Sequence, residues 1–317
     1  MTLPDFTATE PLLDRLLGRL RLRHLRLVDA LAAHGTLRRA AEAVHMTQPA
    51  ATQMLRELEG MLGMALFERH ARGMRITEAG RLVARHARMS IDALRVATQE
   101  LGLLAAQQVR PLRIGAIDAA IASVLQPALL PLLAANPDLH LEIEESTIER
   151  LSAGLRNGSF DIVLVREPAL IEPGHRFIPL RCDRLVLVAG PASPAARRRR
   201  LRLSDLAQSR WILPPAHYAV RRALDALWAQ QGQAPRAHSV QTLAPHLLLS
   251  MLAQPDVVVP VPLSLLERLL RHGIVQLPLE LHAPIEPLGM LFREKEAEGS
   301  LAMLIDFLLA SSGTAPA

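Results

Sequence analysis

Residues 36–59 read TLRRAAEAVHMTQPAATQMLRELE, and their spacing describes two short helices crossing through a tight turn. Leu37, Ala40, Ala41 and Val44 fall on one apolar face, with Arg38, Arg39 and Glu42 off it. The methyl-sized Ala40 and Ala41 let a second helix approach closely. Thr36 ahead of Leu37 and Thr47 ahead of Gln48 and Pro49 are N-cap residues, and a proline in a first turn loses no helical hydrogen bond. In the second helix Ala51, Leu55, Leu58 and Leu62 form the buried stripe, which turns Gln48, Pro49, Thr52, Gln53 and Arg56 outward. Gln pairs adenine and Arg pairs guanine bidentately, so this face suits a DNA major groove. Any one of these residues alone would be an ordinary solvated polar group. The two caps, the Ala-Ala packing site and the polar face in one register define a helix-turn-helix.

The flanks extend the unit. Arg23 to His34 forms a preceding amphipathic helix with Leu25, Val28, Leu31 and Ala32 on one face and Gly35 as its stop. After the second helix, Leu66 and Phe67 anchor a strand, Gly73 allows a turn, and Met74 to Thr77 return as a second strand. This hairpin is a wing carrying Arg69, Arg72 and Arg75.

With those elements in place, residues 22 to about 80 resemble the winged helix-turn-helix of the LysR-type transcriptional regulators. The matching residues are Ala40-Ala41, Thr47-Gln48-Pro49-Ala50, Leu58-Glu59, Leu66-Phe67-Glu68-Arg69 and Thr77-Glu78-Ala79-Gly80. Within the family the chain is nearest the subgroup resembling galactose-binding-protein and protocatechuate-pathway regulators. The resemblance implies DNA contacts at Thr36, Thr47, Gln48, Pro49, Thr52, Gln53 and Arg56, and from the wing at Arg69, Arg72 and Arg75.

Charge is concentrated where the motif lies. Residues 15–75 hold 11 arginines against 5 acids, whereas residues 109–317 are nearly balanced, 21 basic against 20 acidic. Phosphate neutralisation requires this bias and makes binding fall steeply with salt. Lys295 is the single lysine, a bias that reflects a GC-rich genome as much as bidentate chemistry.

From Glu78 to about Ala106 no proline interrupts the chain. Val83, Ala87, Leu94, Ala97, Leu101 and Leu104 trace one stripe, with Leu82, Met89, Ala93 and Val96 beside it. Such a helix is too apolar to stand alone in water. Pairing with a second copy would set two DNA-binding heads side by side on a pseudo-palindromic site. Packing on the chain's own C-terminal half is the competing arrangement. The resemblance favours a homodimer through residues 78–106, and tetramers built from dimers.

Beyond a hinge at Gln107 to Pro111 the pattern changes. PLRIGA, LHLEIEE and DIVLVR are β-rich runs separated by helical stretches at Ala119 to Ala135 and Ile148 to Asn157, and the alternation continues through RLVLVAG, WILPP, AHSVQT, DVVVPV, GIVQL and LGMLF. Strands alternating with helices predict a mostly parallel sheet. The resemblance implies a two-lobed, periplasmic-binding-protein-like α/β effector domain, with Leu155 to Arg166 matching the family's pattern before the first crossover. The expected fold is multi-domain, with an all-α winged helix-turn-helix, a long linker helix and the two-lobed α/β domain. The expected divisions are 1–77, 78–106 and 107–317, with one lobe at about 109–166 and 284–317 and the other at about 167–283.

A small-molecule metabolite effector would bind between the lobes, where strand ends and helix N-termini converge. Its expected contacts are Asp118, Ala119, Ala120, Ser146, Thr147, Arg166, His217, Tyr218 and Thr242, with Glu145 and Gln241 beside them. Many relatives place Ser or Thr at the first of these positions to bind an effector carboxylate. Asp118 would instead repel an anion, or cap the helix that it begins.

Other classes find less support. No G-x-S-x-G elbow, P-loop or G-x-G-x-x-G fingerprint is present, so no catalytic residues are assigned and an enzyme is not expected. The twelve histidines are scattered, with no metal-ligand spacing and no cofactor implied. One cysteine, Cys182, excludes an intramolecular disulfide and fits a reducing cytoplasm, where a buried or incidental thiol is expected. The first residues carry early acids and no signal-length apolar run, and no stretch of about 20 uninterrupted apolar residues spans a membrane. The arginine run 197–200 reads as a solvated loop before a helix at Ser204. The expectation is a cytoplasmic regulator whose partners are operator DNA, itself, a small effector and RNA polymerase. The alternatives are an α/β binding protein or enzyme whose basic helices only oligomerise it, and an architectural DNA-binding protein without an effector.

Overall fold

The structure, a computed structural model, describes residues 9–70, 73–106, 109–231 and 235–312. The chain divides into two compact units, one of Met1–Arg110 with Arg156–Ser159 and one of Pro111–Leu155 with Phe160–Ala317.

The first unit contains α1 (Thr9–Arg19), α2 (Leu22–His34), α3 (Leu37–Ala43), α4 (Gln48–Leu62), the antiparallel pair β1 (Phe67–His70) and β2 (Gly73–Ile76), and α5 (Glu78–Ala105). Its core joins Leu27, Val28 and Leu31 of α2 to Leu37, Ala40 and Ala41 of α3 and Ala51, Met54, Leu55 and Leu58 of α4. Ala40 and Ala51 are fully buried at the crossing, as the small-residue site requires. The apolar face of α2 is rotated from the expected one, because His24 and Leu27 are buried, Leu25 is half-buried and Ala32 is exposed. His24 takes an inside position because its Nδ1 accepts the Arg21 N–H at 2.9 Å, closing the first turn of the helix. In α4, Met54 is buried and Leu62 only half-buried.

Helix α5 has 28 residues, about 42 Å at 1.5 Å per residue. Ala84 and Ala87 are buried near its start, and Arg88 meets Asp29 of α2 at 2.9 Å. Farther along, Leu94, Leu101 and Leu104 are exposed in the single chain. Helix α1 ties to the end of α4 through Arg15 Nη1, which donates to the Met61 carbonyl at 3.3 Å.

The second unit is a two-lobed sheet structure. Its elements are β3 (Leu112–Ala116), α6 (Asp118–Ala120) running through a π-helical turn at Ile121–Leu125 into α7 (Gln126–Ala135), β4 (Leu141–Glu145), α8 (Ile148–Arg156), β5 (Ile162–Arg166) and β6 (His175–Ala189). There follow β7 (Arg210–Leu213), α9 (Ala219–Gln231), β8 (Arg236–Gln241), α10 (Pro245–Met251), β9 (Val257–Pro262), α11 (Leu266–Arg271), β10 (Val275–Gln276), β11 (Pro284–Arg293) and α12 (Gly299–Ser312). The strand order is β4-β3-β5-β11-β6-β9-β7-β8, with β10 on β6. β3 lies parallel to β4 and β5, and β7 parallel to β8 and β9, so each lobe has a parallel core. In the first lobe α7 and α12 cover one face and α8 the other. In the second, α9 covers one face and α10 with α11 the other.

The lobe boundaries differ from the expected ones, because the long antiparallel strands β6 and β11 belong to both lobes. Leu180 of β6 packs in the first-lobe core and Leu185 in the second; Ile285 of β11 packs in the second and Leu288 in the first. The chain therefore crosses at about 181–184 and 286–287, with a β-bulge in β11 between Ile285 and Leu288. The segment Asp118–Ala135 is apolar and long enough by composition to cross a membrane. Ala119, Ala120, Leu125, Ala128 and Leu132 bury it in the first lobe's core, which accounts for its apolarity.

Candidate functional site

The candidate DNA-reading face of the first unit is positioned by hydrogen bonds of motif residues. Thr47 Oγ1 accepts the Ala50 N–H at 3.4 Å and starts α4, with Pro49 in the first turn. Thr36 stands at the N-cap of α3 with extended backbone, but its side chain makes no capping bond. Between the helices His45 takes φ +58°, the one non-glycine left-handed residue among those described. Gln48, Pro49, Gln53 and Arg56 are exposed on α4 and Thr52 is half-buried. The Thr52 hydroxyl donates to the Gln48 carbonyl at 2.9 Å, and Gln53 Nε2 donates to Glu57 at 3.2 Å.

The wing is held from behind. The Glu59 carboxylate accepts the Leu66 and Phe67 N–H groups at 2.7 and 3.2 Å. Thr77 Oγ1 donates to the Ala65 carbonyl at 2.9 Å and accepts the Gly80 N–H at 3.0 Å, joining the hairpin to α5. A Cβ on Gly80 would stand 2.1 Å from the Leu66 carbonyl oxygen, so only glycine fits there. Of the expected wing contacts, Arg69 is exposed, and Arg75 is exposed but bonds Glu68 across the hairpin at 2.8 Å. Arg75, by its bond and charge, holds the Glu68 carboxyl below its ordinary range, and His70 adds to it. Arg72 lies outside the described residues.

The candidate effector cleft lies where the parallel strands of the two lobes end, the place where α/β sheets bind ligands. From the first lobe come Asp118 after β3, Ser146 and Thr147 after β4, and Arg166 at the end of β5. From the second come His217 and Tyr218 after β7, Thr242 after β8, and the segment after β9. Ala119 and Ala120 are buried in the first-lobe core and present no polar side chain. Ser146 N–H bonds the Ala116 carbonyl at 3.1 Å, and Thr242 Oγ1 accepts the Ala244 N–H at 3.0 Å. The rings of His217 and Tyr218 lie 4.6 Å apart. Glu149 has its carboxyl lowered by its own backbone N–H, the Thr147 hydroxyl and the charge of His217.

Two of the expected contacts are engaged within the protein. Asp118 neither caps α6 nor stands as a free anion, because Arg268 takes both of its oxygens at 2.6 and 2.7 Å. That bond, assisted by the charges of Asp118 and Glu145 and opposed by burial, raises the Arg268 pKa. Arg166 is a brace at the lobe crossing. Its Nη2 bonds Asp183 at 2.7 Å and its Nη1 the Glu286 carbonyl at 2.8 Å. Asp183 also accepts from Ser264 Oγ at 2.7 Å and from the N–H groups of Ser264 and Arg184 at 3.1 and 2.9 Å. Next to the brace, Glu286 meets Arg222 at 2.6 Å. Burial alone would raise the Glu286 pKa, but the Arg222 bond, a backbone bond and the charges of Arg222 and Arg166 outweigh it and hold it low. Arg268, Arg222, Glu149 and Glu286 were absent from the sequence-derived set. The Arg268–Asp118 and Arg222–Glu286 partners are distant in sequence, and no local spacing marks them.

Elsewhere, a cavity of about 360 Å³ in the first lobe is lined by Ser123, Pro127, Leu180, Arg181, Leu308 and Ser311 among others, and by none of the expected effector contacts. Cys182 is exposed rather than buried. Among the described residues no three His, Cys, Asp or Glu side chains gather as a metal site.

Comparison with known proteins agrees with this layout. Residues 22–81 match the bacterial regulatory helix-turn-helix protein, lysR family, and residues 105–312 match the LysR substrate binding domain. The chain therefore belongs to the LysR family of transcriptional regulators. It is 31% identical over 278 residues to the HTH-type transcriptional regulator GbpR of Azospirillum brasilense, covering 87% of this chain and 81% of that protein. In fold it is similar to CbnR, a LysR family transcriptional regulator (TM-score 0.64, 20% identity, 93% of this chain and 100% of that one). It is similar also to full-length CbnR complexed with its target DNA (TM-score 0.52, 22% identity, 92% and 100%).

Proposed function

We propose that this regulator reads an operator through Gln48, Pro49, Thr52, Gln53 and Arg56 of α4, with Thr36 and Thr47 at the helix starts and Arg69, Arg72 and Arg75 of the wing on phosphates. The observation that carries this reading is the exposed face of α4, whose donors surround a helix start with Thr47 as its cap. Gln48 and Arg56 supply base discrimination, and the wing arginines supply salt-dependent affinity. The exposed Leu94, Leu101 and Leu104 of α5 support pairing of two copies through residues 78–106, and of dimers into tetramers. The regulator works in the cytoplasm, with no enzymatic step, and acts on RNA polymerase at the promoter.

In this reading a small-molecule effector binds in the cleft between the lobes, at the strand ends that carry Ser146, Thr147, His217, Tyr218 and Thr242. It regulates only if it binds the two conformations unequally. The test is fluorescence anisotropy on the intergenic DNA upstream of the protein's own gene. A sequence-specific complex whose affinity falls steeply with salt is expected. Equal binding to scrambled DNA of the same length would overturn the reading.

A further inference from the structure

Asp118 begins α6 at the end of β3, directly ahead of Ala119 and Ala120 in the first lobe's core. Arg268 stands on α11, which Leu266 and Leu269 anchor in the core of the second lobe. The two side chains meet as fork on fork across the cleft, Nη1 to Oδ1 at 2.6 Å and Nη2 to Oδ2 at 2.7 Å. Each is about a third exposed or less, 27% for Arg268 and 31% for Asp118, so water and salt screen the pair only partly. A bidentate carboxylate is the geometry that a guanidinium binds best. The protein's own carboxylate thus occupies the cation that an incoming carboxylate would seek.

We propose that Asp118 is a specificity-determining residue of the cleft: it fills Arg268 from within, bars small monocarboxylates, and restricts the effector to a neutral or basic molecule that leaves the pair intact. The proposal rests on the cleft being the effector site. Asp118 is tethered two residues beyond β3 and already oriented, so a free carboxylate competes against a partner at high effective concentration. Closing the lobes, moreover, needs no anion from outside, because the bridge already joins them. Glu145, at the end of β4, is the other carboxylate whose charge Arg268 feels. It is therefore neutralised together with Asp118 in the test.

The test is isothermal titration of acetate and of benzoate into the full-length protein and into Asp118→Asn, Asp118→Asn/Glu145→Gln and the triple variant that adds Arg268→Ala. Tryptophan fluorescence shows that each is folded, and operator anisotropy is measured on the same samples. Wild type is expected to bind neither carboxylate. The double variant is expected to bind at least one of them about 10-fold or more tighter, a gain the triple variant loses. Equal affinity in wild type and double variant, or no binding by a folded double variant, would overturn the proposal. Absence of operator binding by wild type would instead overturn the regulator reading, so the two failures are distinguishable.

Discussion

Arg166→Ala tests whether the arginine at the lobe crossing is a brace or an effector contact. The substitution removes the guanidinium from Asp183, whose side chain is 1% exposed and cannot be rehydrated without opening the crossing. Removing one partner of a buried ion pair costs about 3–5 kcal/mol. Three donors, from Ser264 Oγ, Ser264 N–H and Arg184 N–H, still reach the carboxylate, so the lower end, about 3 kcal/mol, is expected. The chain's two tryptophans, Trp211 and Trp228, pack 5.4 Å apart in the second-lobe core, so their fluorescence during urea titration reports on that lobe. With a slope of roughly 2–3 kcal/mol/M, the midpoint should fall by about 1 M. Replacing the pair with apolar groups, Arg166→Met with Asp183→Leu, should recover most of the loss, because no uncompensated charge is left inside. An unchanged midpoint in Arg166→Ala would refute the brace.

Gly80→Ala should destabilise the DNA-binding unit by about 1–3 kcal/mol, at the upper end because the obstructing Leu66 oxygen is backbone, as read by thermal melting. Arg56→Ala or Gln48→Ala should cost about 1–3 kcal/mol on the preferred operator and little on others, measured by anisotropy on base-substituted sites; unchanged preference would remove the residue from the base-reading set. Arg69→Ala should weaken all sequences alike and lower the salt slope by about 1. Burial, then the charge of Arg23, lowers the His24 pKa from 6.5, against the opposing pull of Glu57. The unfolded chain then binds more protons, so this contribution to stability is full above about pH 6.5 and fades as pH falls toward the folded-state pKa. Melting at pH 7.5 and pH 5.5 should differ less in His24→Gln than in wild type.

What the sequence disclosed depended on how far apart the cooperating residues stand. The helix-turn-helix was legible because its caps, its Ala40-Ala41 contact and its polar face lie within two dozen residues. Its error was one of phase: histidine counts as polar, yet His24 is buried with Nδ1 satisfied by its own helix start. The first half of β6, HRFIPLRCDR, was missed because Pro179 and its charges mask the alternation, and its pairing comes from β11 more than a hundred residues on. The strand ends were legible from the alternation of strands and helices, but the side-chain partners gathered there were not. Asp118 finds Arg268 150 residues away, and Arg166 finds the Glu286 carbonyl 120 away.

The motif residues themselves divide into two kinds. Gln48, Gln53 and Arg56 have exposed side chains on α4, whereas Glu59, Thr77 and Gly80 are spent on backbone groups that seat the wing. A match to the family pattern is therefore a match to a scaffold as much as to a reading surface. Operator preference has to be sought in the outward positions of α4, since the scaffold positions would be needed for any operator. The cleft has the same division. Arg166, Asp183 and Ser264 fix the crossing of the two lobes, leaving the strand ends beyond that brace for the proposed effector contacts. At one of those strand ends Asp118 and Arg268 are committed to each other, so the proposed effector would meet a closed ion pair there.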